Sequence, residues 1–217
     1  MVLTFFRGDD GVFDTIDRQV TEMLGACRHA FDLASSALLA GDDIAAVGED
    51  VRDTDRQVNQ LEYDVRRELV VHAAVQGGQD IGIVLTSLLV VKKLERVGDQ
   101  CKNIFDLADA GVRIVGDDRS GFEDDRRTVS AMFGQAVEVL AGREDEAIAE
   151  YNQRAEALMS AYDARVNELL GSDQPSSWGV PRAMLARYLK RIVANLDGCA
   201  RVIATPLDRF EPIDLDE

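Results

Sequence analysis

Two carboxylates, Glu95 and Asp99, stand four residues apart in the run Lys93-Leu94-Glu95-Arg96-Val97-Gly98-Asp99-Gln100-Cys101-Lys102-Asn103. On an α-helix that spacing puts both on one face, about one turn apart, close enough to grip the same cation. Upstream, Asp55, Asn59 and Glu62 follow one another at spacings of four and three, a stripe of oxygen-bearing groups beside the apolar seam Val51, Val58 and Val65. Two antiparallel helices that each present such a stripe make a site for a hard or borderline divalent or trivalent cation. By spacing alone, a solvated outer face is the simpler reading of the same acids.

About a hundred residues later the chain repeats the pattern without the chemistry. Tyr188 to Ala194 aligns with Lys93 to Asp99, which sets Lys190 where Glu95 stands and Ala194 where Asp99 stands. Asn152 and Glu156 align with Asp55 and Asn59. A protonated lysine has no lone pair to offer and alanine has none at all, so a second cation site of the same kind is not expected. Lys190 is expected to pair instead with Glu156, or with a neighbouring acid such as Glu150. Arg96 and Arg191 occupy matching positions, where pairing with an acid of a neighbouring helix is their simplest use. His29 and His72 lack the glutamate three residues upstream that a di-iron bundle requires, since Ala26 and Leu69 stand there. They read as partly buried bundle residues. No phosphate-binding glycine loop, nucleophile elbow or Cys/His pair accompanies them.

The run Leu94 to Ile104, preceded by Asp53-Thr-Asp-Arg-Gln-Val-Asn-Gln-Leu-Glu62, resembles the PhoU family of phosphate-uptake regulators. That family carries a Leu-Glu-Arg-Ile-Gly-Asp-like signature on the third helix of a three-helix repeat. The resemblance covers most of Ala37 to Ala108 densely and Val137 to Ala204 more thinly. It implies metal at paired acidic motifs, often iron or zinc, and here those motifs are Asp55 with Asn59 and Glu95 with Asp99. Asn59 departs from the pattern by being neutral. The resemblance further implies a non-enzymatic regulator, a homodimer, that works by contact with the ATPase of a phosphate ABC transporter, a phosphate-sensing histidine kinase or a phosphate permease. Such a protein would be cytoplasmic and would reach the membrane only through its partners. A metal-dependent hydrolase and a metal-free structural bundle are the rival readings, and the hydrolase lacks an evident general acid or base.

The elements that must position these residues are long helices. Four prolines, 6% aromatic residues and few alternating β-branched runs point to an all-α chain. Apolar spacing gives one helix from Phe13 to Ala40, a second capped by Asp42 or Asp43 and ending near Gly77-Gly78, and a third from Asp80 to Ile114. A linker, Gly116 to Gly121, separates a fourth helix around Val129 to Ala141 from the first three. A fifth runs to Leu170 and a sixth opens at Pro181 and ends before Pro206 and Pro212. Two tandem three-helix bundles follow, residues 1–115 and 117–217, related by duplication and packed together.

Composition narrows the partners. The formal charge of −16, from 40 acids against 24 Lys and Arg, argues against nucleic acid and against an anionic membrane surface. The stretch Asp42 to Asp64 holds eight acids and two arginines, whereas Val180 to Ile203 holds five basic residues and one acid, so the second and last helices are expected to attract one another within or between chains. Three scattered cysteines, Cys27, Cys101 and Cys199, fit free thiols better than a disulfide framework. Met1 to Arg7 lacks the basic start and apolar length of a signal peptide. The apolar segment Ile81 to Val91 is about half a bilayer span.

Overall fold

The computed structural model describes residues 11–41, 44–78, 80–142 and 144–204. Among them are six helices: α1 (Gly11–Ala40), α2 (Ile44–Gln76), α3 (Ile81–Asp109), α4 (Arg119–Gly142), α5 (Asp145–Leu170) and α6 (Ser176–Ala204). The chain is all-α, as the periodicity predicts. Asp42, Asp43, Met1 to Arg7, Pro206 and Pro212 lie outside the described residues.

α1, α2 and α3 pack as one three-helix unit, and α6 packs most extensively on α5 and on α3. The seam on α2 is the expected one, with Val51, Val58, Val65 and Leu69 buried. It meets α1 residues such as Val20, Leu24 and Cys27, and α3 residues such as Leu94, Val97 and Cys101, in one continuous core that runs on into Val129, Phe133, Leu189 and Leu196. Neither half closes its own core, so the two repeats bury apolar surface on each other. At their junction α3 and α6 run antiparallel: the Cys199 thiol approaches the Val90 carbonyl, and Lys93 lies over Gly198, where a Cβ would come 2.5 Å from its Nζ.

All three cysteines are free and buried, and burial raises each thiol's pKa, that of Cys199 to about 12. They are inert packing residues. Among the described residues α2 and α6 share no extensive packing. The basic residues of α6 turn instead to nearer acids, Arg201 to Glu156 at 2.7 Å and Arg182 to Asp118 at 2.6 Å. The expected attraction within the chain is therefore satisfied locally.

Three boundaries differ from expectation. α3 stops at Asp109 rather than Ile114, because Gly111 takes a positive φ of 84°. The Gly111 and Val112 amides bond back to the Ala108 and Leu107 carbonyls, which closes the helix in a Schellman motif. Beyond it, the Ile114 amide donates to the Leu38 carbonyl at 3.2 Å, so this apolar stretch straps onto α1 instead of extending α3. α4 begins at Arg119, inside the expected linker. α6 begins at Ser176, five residues before Pro181, with the Trp178 and Gly179 amides both bonded to the Pro175 carbonyl.

Candidate functional site

α2 and α3 form an antiparallel hairpin whose turn is clasped by His72 and Asp80, Nε2 to Oδ2 at 3.0 Å. His72 is buried and its ring meets the edge of Phe13 at 4.9 Å between centroids. His29 is exposed. Further along the hairpin, Gly98 of the Glu-Arg-Val-Gly-Asp run lies against Val58, and a Cβ there would sit 3.4 Å from Val58 Cγ1. Gly48 is tighter still, since a Cβ would sit 2.7 Å from Phe105 Cζ. These two glycines, one from each helix, let α2 and α3 approach closely along the hairpin that carries the acidic stripe.

The hairpin brings the two stripes onto one face. The Asp55, Glu62 and Glu95 side chains are largely buried, whereas Asn59 and Asp99 are exposed. The acids do not converge on an open cradle, because lysines lie among them. Lys92 Nζ is 2.9 Å from Glu95 Oε2 and 3.7 Å from Glu62 Oε1, and Lys102 Nζ is 3.2 Å from Asp55 Oδ2. Arg66 adds a contact to Glu62 at 3.3 Å. Lys92 holds its proton more firmly than usual, first because it donates to Glu95. Asp99 has its pKa raised, first by partial burial and then by the charges of Glu95 and Asp55. A cation would relieve that crowding. Among the described residues, however, no three or more His, Cys, Asp or Glu side chains are gathered closely enough to hold a metal ion. The donor chemistry suits a hard cation, but the arrangement is completed by two ammonium groups.

Those lysines are what sequence reasoning missed. The signal was present: Lys92 precedes Glu95 by three residues and Lys102 follows Asp99 by three, spacings at which helical side chains meet.

In the second repeat Lys190 does form an ion pair with α5, but its partner is Asp163 rather than Glu156 or Glu150. Arg187 approaches the same carboxylate at 4.0 Å. Glu156 is taken by Arg201, which also holds Asp197 at 2.7 Å. The helical offset explains the correction: Asp163 lies nearer the α5–α6 turn, level with Lys190, while Glu156 lies level with Arg201. Arg96 and Arg191 are exposed and form no ion pair with a described residue.

The fold and this charged hairpin face define an all-helical protein of two tandem three-helix units, the first built around a Glu-Arg-Val-Gly-Asp helix. Residues 20–108, which run from within α1 almost to the end of α3, match the family model of the PhoU domain. The whole fold is similar to the crystal structure of PhoU from Pseudomonas aeruginosa, with a TM-score of 0.74 at 19% identity over 89% of this chain and 95% of that one. No curated protein matches the chain. No described helix is long and apolar enough to cross a membrane.

Proposed function

We propose that the chain is a non-catalytic regulator of phosphate uptake and phosphate-responsive signalling, acting by contact with a phosphate transporter ATPase, a phosphate-sensing histidine kinase or a phosphate permease. The observation that carries this reading is the match of residues 20–108 to the PhoU domain model, set in a six-helix fold similar to that of PhoU from Pseudomonas aeruginosa. The mixed-charge face of α2 and α3 suits a protein contact, because half-buried ion pairs set register and orientation between polar surfaces. In this reading the protein is a cytoplasmic homodimer that approaches the membrane only through its partners.

A cation such as iron or zinc belongs to the same proposal, held by Asp55, Glu62, Glu95 and Asp99 with the Asn59 amide beside them. It would neutralise facing acids and lock the hairpin face. Lys92 and Lys102 would have to swing away first, so metal and lysine compete for the same carboxylates. Capture of partners by the purified chain from native cells grown in low and high phosphate tests the regulatory reading. A phosphate transporter or sensor component should be retained, and deletion of the gene should alter phosphate accumulation. Metal-dependent phosphatase activity that disappears in Glu95→Gln would favour a hydrolase instead.

A further inference from the structure

Of the four lysines, Lys92, Lys102 and Lys190 are each paired with an acid, whereas Lys93 on α3 is partly buried and forms no ion pair or hydrogen bond with a described residue. Its stem lies along Gly198 of α6, with Cδ, Cε and Nζ 3.2, 3.0 and 2.5 Å from where a Cβ would stand. We propose that the seam between α3 and α6 holds a phosphate group, bound by the Lys93 ammonium and the Arg96 and Arg191 guanidiniums.

The unpaired ammonium is the first observation. A charge drawn into a protein normally finds a partner. This chain has 40 acids, yet none of the described ones pairs with Lys93. The two closest in sequence are engaged elsewhere, Glu95 by Lys92 at 2.9 Å and Asp197 by Arg201 at 2.7 Å. The ammonium remains at the helix junction, where burial raises the pKa of the Cys199 thiol and the Lys93 charge pulls it partly back. Gly198 is itself only partly buried, so a ligand can approach from solvent.

The second observation is what flanks it. α3 and α6 run antiparallel, so forward from Lys93 and back from Gly198 is one direction. Arg96 lies about one turn forward and Arg191 two turns back, on the same helix faces as Lys93 and Gly198. Both are exposed, and neither forms an ion pair with a described residue. Farther along α3, Asp106 pairs with none of the three. Three uncompensated cations call for more than one negative charge. A phosphate group carries roughly 1.5 to 2 at neutral pH and offers several acceptor oxygens, which suits two guanidinium forks and an ammonium. A carboxylate brings one charge and two oxygens, and would leave part of the cluster uncompensated.

The site rests on charge placement alone, so its loss would leave partner capture by the chain untouched. Calorimetric titration of the full chain with inorganic phosphate, beside acetate, tests it directly. Phosphate should bind, more weakly as sodium chloride is raised, and acetate should not. Lys93→Met keeps the stem on Gly198, and Arg191→Gln changes an exposed residue where folding is not at stake. Each should weaken phosphate binding about ten-fold, the loss expected for one charge-assisted hydrogen bond. A parallel arm with N-acetyl-O-phosphoserine methylamide separates the sources: tighter binding than inorganic phosphate identifies a phosphorylated side chain, and weaker binding identifies the free ion. The proposal is overturned if inorganic phosphate does not bind, if acetate binds as tightly, or if either substitution leaves phosphate binding unchanged.

Discussion

The guanidinium of Arg182 on α6 grips both carboxylate oxygens of Asp118, at 2.6 Å and 3.0 Å, and so ties the segment between the two repeats to the last helix. The same side chain donates to the Val115 and Trp178 carbonyls and lies over the Trp178 ring at 4.2 Å. It is the one buried arginine of the described residues, and its bidentate grip on Asp118 and its stacking on Trp178 both require a planar fork.

Arg182→Lys should therefore not be conservative. It removes the bidentate geometry and the ring stacking, and the expected loss is roughly 2–3 kcal/mol, below the usual cost of breaking a buried pair because Asp118 is partly solvated. Arg182 also holds the Asp118 carboxyl below the usual aspartate range, chiefly through its hydrogen bonds. A depressed folded pKa contributes stability that is complete above the ordinary aspartate value and lost as pH falls through the lowered one. Urea denaturation at a series of acidic pH values should show a shallower acid limb in Asp118→Asn than in the parent chain. Identical limbs would mean that this pair does not govern acid stability.

Much of this architecture is legible in the amino-acid sequence, because periodicity reports burial directly. The seam Val51, Val58 and Val65 and the spacing of Leu94, Val97, Cys101 and Ile104 lie in the core as read. Where the reading failed, apolar periodicity ran on past a local stop. Val112 and Ile114 continue the α3 pattern, and only the positive φ of Gly111 reveals that they belong to a strap on α1. At the candidate site the acids are readable but their neighbours are not. Whether Glu95 meets a metal, a lysine or water depends on which side chains lie across from it, and Lys92 and Lys102 became decisive only once the two helices were set in register.

The acidic face makes a prediction without metal. Partial burial first, and then the charges of Glu95 and Asp55, oppose the ionisation of Asp99. Asp99→Asn keeps the shape and removes one of three like charges, so the metal-free protein should melt slightly higher at neutral pH. Circular dichroism melts in chelator, with helical content compared at low temperature, check this. A lower melting temperature would show that Asp99 is stabilised by Lys92 and Lys102 more than it is strained by its neighbours.

Competition between lysine and metal gives a sharper outcome. Lys92→Met with Lys102→Met keeps most of the aliphatic stem and removes both ammonium groups. If Asp55, Glu62, Glu95 and Asp99 hold a cation, metal bound per chain should rise in this variant, and it should vanish when Glu95→Ala and Asp99→Ala are added. Elemental analysis of protein purified without chelator reads both. A lysine-free face that still binds nothing would remove metal from the regulatory proposal.

The second repeat tests whether the halves are geometrically equivalent. Lys190 sits where Glu95 sits, but it is engaged with Asp163, and Arg187 stands within reach of the same carboxylate. With Lys190 and Asp163 both partly exposed, the pair is worth about 0–1 kcal/mol, so its loss alone should barely move the melting temperature. Lys190→Glu with Ala194→Asp rebuilds the acidic motif of the first repeat on α6, but it also turns an attraction to Asp163 into a repulsion. The double variant should be less stable than the parent by more than the pair itself is worth, and adding Asp163→Asn should restore most of the loss. With that third change in place, metal bound per chain should increase if α5 and α6 can offer the same cradle as α2 and α3. Rescue of stability without any gain of metal would show that the acids need the facing stripe of Asp55 and Glu62, for which α5 has no counterpart at Asn152 and Met159.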